Sequence, residues 1–121
     1  MNVKYTKDHE WVRLENNFAY VGITAFAASQ LGDIVFLDVF TVGETLQKDE
    51  VFGTIEAVKT VSDMLLPVGG EIVEFNQELE NNPGLINSDP LGAGWIIKVS
   101  VSNPAEFETL LSEEQYKELI G

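Results

Sequence analysis

Few residues of this chain could do chemistry. It has no cysteine and one histidine, His9, set among 20 aspartates and glutamates and 7 lysines and arginines. Without thiols there is no thiolate zinc site, no cysteine nucleophile and no disulfide framework. One imidazole beside Glu10 and Trp11, with carboxylates scattered elsewhere, lacks metal-ligand spacing and gathers no acid, base and nucleophile, so it reads as structural. The exception is Lys59, in Ile55-Glu56-Ala57-Val58-Lys59-Thr60-Val61, between two strand patterns. An amine there suits a tether. The backbone beneath a tether must be rigid while the side chain stays free, so that an attached group meets each partner site at high effective concentration and can still leave. Outside that context Lys59 would read as a solvated surface charge.

For Lys59 to project, the flanking segments must form a hairpin. Val51 to Ala57 and Val61 to Leu66, the latter ended by Pro67, read as strands. One strand from Val51 to Leu66 would be unusually long for a chain of 121 residues, so a reversal is expected. Local turn chemistry gives no help, because Ala57-Val58-Lys59-Thr60 contains no glycine, proline, asparagine or aspartate. Two glycine-led stretches, Gly43-Glu44-Thr45-Leu46 and Gly70-Glu71-Ile72-Val73, lie on either side of Lys59 as a near-repeat. They suggest two β units facing each other in a flattened barrel or sandwich, with the Lys59 hairpin at one end.

The remaining elements follow from periodicity and caps. Residues 10 to 23 alternate about Glu15-Asn16-Asn17 and read as two strands with a tight turn. Thr24 caps a short helix from Ala25 to Leu31, closed by Gly32 and dependent on packing Phe26 and Leu31 against a sheet. Ile34 to Val42 reads as a mostly buried strand and Gly43-Glu44 as a turn. Glu71 to Phe75 reads as a strand opened by Gly69-Gly70, and residues 76 to 94 as mainly loop. Trp95 to Val101 reads as a strand with Trp95, Ile97, Val99 and Val101 on one face and Ile96, Lys98 and Ser100 on the other. In the tail, Asn103 caps a helix that carries Pro104 in its first turn, and Ser112 with Gln115 forms a capping box ahead of Tyr116, Leu119 and Ile120. Trp11 and Trp95 read as core aromatics with satisfied indole N–H groups.

Composition bounds the partners. A formal net charge of -13 repels phosphate backbones and anionic lipid, which argues against nucleic acid and membrane surfaces and favours basic proteins. No apolar stretch approaches the ~20 residues that span a bilayer. With Met1 as the native start there is no signal or transit peptide, and a cytoplasmic location is expected. We expect one domain over residues 1–121, with a core at about 10–101 and a C-terminal helical segment at about 103–120.

Gly53-Thr54-Ile55-Glu56-Ala57-Val58-Lys59, then Ser62-Asp63, Pro67, Gly70-Glu71, Asn76, Leu79, Pro83, Leu85, Asn87, Pro90, Gly94-Trp95 and Lys98-Val99, resembles the H protein of the glycine cleavage system. His9-Glu10-Trp11-Val12, Val21-Gly22-Ile23-Thr24, Leu31-Gly32-Asp33 and Val35-Phe36 carry the same resemblance, which spans residues 4 to 119. It implies a mainly β, lipoyl-domain-like barrel-sandwich hybrid of two small antiparallel sheets with a short internal helix and a C-terminal helical segment. It also implies lipoic acid in amide linkage on Lys59. The carrier itself would be non-catalytic and a monomer. By the same resemblance, the P protein loads an aminomethyl group onto the arm, the T protein passes it to tetrahydrofolate, and the L protein, a dihydrolipoyl dehydrogenase, reoxidises the arm. A lipoyl ligase or octanoyltransferase would install it. Glu56, Val58 and Asp63 are candidates for recognition around the arm, and Glu10 and Gln30 for an arm cleft. The chain departs from the family pattern at Ala25, Phe40, Gly69, Leu91 and Gln30, positions on the presumed cleft and partner face. An H-like lipoyl carrier for lipoyl relay or sulfur oxidation, and a biotin carrier, remain as alternatives. The biotin reading is disfavoured because Lys59 lies between Val58 and Thr60 rather than between methionines. A small acidic enzyme or simple binding domain is a further alternative, weakened by the missing catalytic constellation.

Overall fold

Alternating apolar side chains turn the first part of the chain into an antiparallel meander. In the computed structural model, which describes residues 3–121, it consists of β1 (Val3–Tyr5), β2 (Glu10–Glu15) and β3 (Phe18–Ile23). The expectation drawn from Met1 lies outside the described residues. Asn16 makes the β2–β3 turn with φ 58°, a left-handed conformation that asparagine tolerates better than most residues. Thr24 Oγ1 then accepts the Ala27 amide at 3.2 Å to cap α1 (Ala25–Leu31), and Gly32 ends that helix at φ 85°. After α1 come β4 (Ile34–Asp38), β5 (Thr45–Leu46), β6 (Val51–Ala57), β7 (Val61–Leu65) and β8 (Gly70–Phe75). One-turn helices α2 (Glu78–Asn81) and α3 (Leu85–Ser88) precede β9 (Ile97–Val101), α4 (Ala105–Glu108) and α5 (Glu113–Ile120).

The strands form two sheets, ordered β1-β2-β3-β9-β8-β5 and β4-β6-β7, with every pairing antiparallel. Val12, Val21, Phe52, Ile55, Met64, Leu66, Ile72 and Ile97 fill the space between them. This is the expected barrel-sandwich hybrid. A second cluster of Tyr5, Trp11 and Tyr116 lies apart from it, with Tyr5 and Tyr116 stacked at 4.8 Å, so α5 covers the other face of the β1–β2 end. Trp11 pairs with Gly22 across β2 and β3, and a Cβ at residue 22 would stand 2.7 Å from the indole. Only glycine lets the ring lie there. The Trp11 indole donates to the Pro90 carbonyl at 2.9 Å, as expected, whereas Trp95 is half-buried at the rim, edge-on to Tyr20 at 5.2 Å.

The near-repeat proves to be a contact. Thr45 pairs with Glu71 and Leu46 with Gly70, while Gly43 N–H donates to Ile72 O at 2.7 Å and Ile72 N–H to Glu44 O at 2.9 Å. The two glycine-led copies therefore zip directly to each other. Gly70 also admits the close approach of β9, since a Cβ there would collide with the Ser100 carbonyl.

Several expectations are corrected. β1 had no sequence signal; it is held by reciprocal backbone bonds between Tyr5 and Leu111 at 2.9 and 2.8 Å and by β2. The segment from Ile34 is shorter than expected and is not mostly buried: it bulges between Ile34 and Phe36, Ile34 and Leu37 are buried and Val39 partly so, and Phe36 and Phe40 are both 56% exposed. Its apolar run misleads because Val35, Phe36 and Phe40 all stay exposed to solvent. β5 occupies residues read as leading out of a turn, and the 76–94 loop contains α2 and α3, which bury Leu79 and Ile86. Ile96, read on the polar face of the alternation, lies just ahead of β9 and packs fully buried in the main core, its amide donating to Val21 O at 2.8 Å and its carbonyl accepting Asn76 N–H at 2.9 Å. Pro104, not Asn103, occupies the cap position of α4; Asn103 lies one residue earlier, its Oδ1 accepting Ala105 N–H at 3.2 Å in a local turn.

The Ser112 box forms in full: Oγ accepts Gln115 N–H at 3.2 Å and Ser112 N–H donates to Gln115 Oε1 at 2.9 Å. Ser112→Ala is expected to lower stability by about 1 kcal/mol, read as a fall in the urea midpoint without a change in slope.

Candidate functional site

Lys59 stands at the tip of the β6–β7 hairpin. Glu56 pairs with Val61, and Ala57 N–H donates to Thr60 O at 2.8 Å, closing the reversal. The non-glycine residues with positive φ are His9, Asn16 and Asp49, so residues 57–60 turn without a left-handed conformation and need neither glycine nor asparagine. A tertiary bond holds the tip. Val58 N–H donates to the Asp33 carbonyl at 3.1 Å, tying the residue before Lys59 to the segment between α1 and β4. The Lys59 side chain is exposed, and no salt bridge among the described residues reaches it. Val58 is 70% and Val61 62% exposed, so two bare apolar side chains flank the amine.

Register places the other candidates. Phe36, Glu56 and Val61 form one cross-strand row, and Asp38, Thr54 and Asp63 the next. Glu56 and Asp63 are exposed on this side of the three-stranded sheet, close to the tip. Gln30 is exposed on the last turn of α1, three residues before Asp33. Glu10 does not join them at the tip. It is 5% exposed, its Oε1 accepts the Thr6 hydroxyl at 2.9 Å, and its Oε2 accepts Leu65 N–H at 3.4 Å. Leu65 lies six residues beyond Lys59, roughly 20 Å of extended strand. Burial pushes the Glu10 carboxyl up to about 7; the Thr6 and Leu65 hydrogen bonds oppose this, while Asp8 and Asp49 add to it.

His9 packs between α1 and α5. It adopts φ 69°, its Nδ1 lies 2.8 Å from the Tyr116 hydroxyl, and its ring packs on Phe26 at 4.9 Å. The same hydroxyl is 2.7 Å from Thr24 Oγ1, which joins α5 to the cap of α1. Burial raises the Tyr116 phenol, so it stays protonated and can serve both partners. Tyr116→Phe is expected to cost about 1–2 kcal/mol, since it leaves two polar groups short of a partner; thermal unfolding would read it.

Sequence reasoning met Asp33 and Asn87 as residues of the family pattern and gave neither a role. Asp33 acts through its backbone carbonyl, which no side-chain pattern announces. Asn87 lies in a stretch read as loop, and its side chain bonds Gly32 O and Ile34 N–H, both at 3.0 Å. Among the described residues there is no cluster of three or more potential metal ligands, and no helix is long and apolar enough to cross a membrane.

The glycine cleavage H-protein family model matches residues 3–121. The chain belongs to that family. It is 60% identical over 120 residues to the glycine cleavage system H protein of Bacteroides fragilis, covering 99% of this chain and 95% of that one. Against the same protein of Bacteroides thetaiotaomicron the identity is 56%, with the same coverage. The crystal structure of a glycine cleavage system H protein from Mycobacterium marinum superposes with a TM-score of 0.87 at 37% identity, covering 99% of this chain and 97% of that one. H proteins of this family bear a lipoyl group on a lysine and are non-catalytic carriers that work with the P, T and L proteins of glycine cleavage. Family membership therefore sets aside the biotin-carrier and enzyme readings, and it favours glycine cleavage over lipoyl relay or sulfur oxidation.

Proposed function

We propose that Lys59 is the lysine that carries the lipoyl group. One observation supports this most directly: Lys59 is exposed at a hairpin tip whose backbone is fastened through Val58 and Asp33, so the anchor is fixed and the amine is free. Amide formation removes the lysine charge, making the loaded chain one charge more negative. When bound, the group supplies a disulfide that can take up the one-carbon unit and electrons and hand them on. Glu56 and Asp63 give the tip a negative border that suits basic partner surfaces, and Val58 offers an apolar contact beside the amine. In this reading they serve recognition by the P, T and L proteins and by the lipoyl ligase or octanoyltransferase. Gln30, beside the Asp33 anchor, and Glu10, against the β7 edge, are the candidates for sheltering an arm folded back along that edge. The same reading takes residues 1–121 as one monomeric carrier domain working in the cytoplasm.

Intact mass of the chain incubated with lipoate, ATP and a lipoate ligase, followed by peptide mapping, tests the assignment. A single lipoyl adduct on Lys59 supports it. An adduct on another lysine, or none, would refute it.

A further inference from the structure

An extended segment offers its carbonyl and amide groups alternately to its two edges, so each edge can be held by a different partner. Gly32 to Ile34 is held in this way. On one edge the Asp33 carbonyl accepts Val58 N–H at 3.1 Å. On the other, Asn87 Nδ2 donates to the Gly32 carbonyl and Asn87 Oδ1 accepts Ile34 N–H, each at 3.0 Å. One carboxamide thus takes the place of a neighbouring strand. The task requires a donor and an acceptor on the same short planar group, which among side chains means asparagine or its longer homologue. Asn87 is itself anchored from elsewhere: the adjacent Ile86 is fully buried, and the turn after α3 is closed by Ala93 N–H on Asp89 Oδ2 and Gly94 N–H on Asp89 O, both at 2.9 Å.

We infer that Asn87 is a positioning residue for Lys59. Its amide fixes Gly32 to Ile34, and the Asp33 carbonyl of that segment fixes the backbone under the tether. The inference rests on the reading of Lys59 as the lipoyl site. It also explains how a tip without turn-forming residues stays in one conformation: the constraint comes from α3, 28 positions along the chain from Lys59. Without the amide, the hairpin samples more geometries. A lipoylating enzyme that accepts only the native one then binds more weakly, in proportion to the fraction that remains competent, with its chemical step unchanged.

The test is amide hydrogen exchange by NMR on the unmodified full chain, comparing the parent with Asn87→Leu and Asn87→Asp. Leucine removes both bonds, while aspartate keeps an acceptor for Ile34 but sets an oxygen against the Gly32 carbonyl. In Asn87→Leu, exchange at Val58 and Ile34 is expected to quicken by about tenfold or more, while amides of β2, β3 and β9 change by less than about twofold. In Asn87→Asp the effect at Val58 should be smaller. With a lipoate ligase, KM for Asn87→Leu should rise several-fold with kcat held. Unchanged Val58 exchange, equal acceleration across the chain, or an unchanged KM despite a freed Val58 amide would each overturn the proposal. Should Asn87→Leu fail to fold, Asn87→Asp decides: a quickening confined to Val58 and Ile34 supports the proposal, and none there, or an equal one in β2, β3 and β9, overturns it. If the parent takes no lipoyl group on Lys59, the tether reading fails, and exchange alone still decides whether Asn87 governs the tip.

Discussion

Lys59→Arg is expected to abolish lipoylation, and with it every lipoyl-dependent step of glycine cleavage, while stability stays within about 0.5 kcal/mol of the parent. The substitution keeps the positive charge and most of the side-chain length but replaces the acylatable amine with a guanidinium that stays protonated. Lys59 is exposed and in no salt bridge among the described residues, so misfolding would not account for the loss. Free lipoate should not restore full rates, because tethering is worth roughly 10²–10⁴ through effective concentration. Intact mass after incubation with a lipoate ligase, and carboxyl exchange of glycine with the P protein, are the measurements. An adduct on Lys4, Lys7, Lys48, Lys98 or Lys117 of the variant, with exchange retained, would sink the assignment.

Glu10→Gln is expected to remove a fall in stability that the parent shows as pH rises. The Glu10 carboxyl titrates at about 7 in the folded chain against 4.5 as its ordinary value. Between these values the folded chain keeps a proton that the unfolded chain has released. The folded state thus binds more protons, and stability drops as pH climbs from about 4.5 to about 7 and stays lower above it. The complete loss is about 3 kcal/mol. Glutamine is uncharged throughout, and its carbonyl can still accept Leu65 N–H. The variant should therefore match the parent near pH 4 and exceed it by up to about 3 kcal/mol at pH 8, measured by urea unfolding across that range. Parallel pH profiles for the two proteins would show that Glu10 is not the group responsible.

Much of the scaffold was legible because its signals are local. Asn16 at the β2–β3 turn, Thr24 and Gly32 around α1, and the Ser112–Gln115 box each satisfy backbone geometry or backbone hydrogen bonds within a few residues, so side-chain type alone marks them. β1 and β5 were not legible. Each is only two or three residues long and leans on a distant segment, Leu111 for β1, which also pairs with the neighbouring β2, and β8 for β5. The Ile34 run misled for a related reason: hydrophobicity predicts burial only where something packs on it, and Val35, Phe36 and Phe40 stay exposed.

The same division runs through the site. By itself the sequence singled out Lys59 as the candidate tether, since cysteine is absent, the single histidine is isolated, two glycine-led units flank the lysine and the motif around it resembles a known carrier family. Side-chain identity is enough for those statements. Only the tertiary structure decided that Ala57 to Thr60 reverses direction without a turn residue, that Asp33 holds Val58 through a backbone carbonyl, that Asn87 braces that segment, and that Glu10 lies buried against Leu65 rather than at the tip. Backbone groups are the same at every position and long-range partners leave no periodicity, so these decisions appear only once the two sheets have closed.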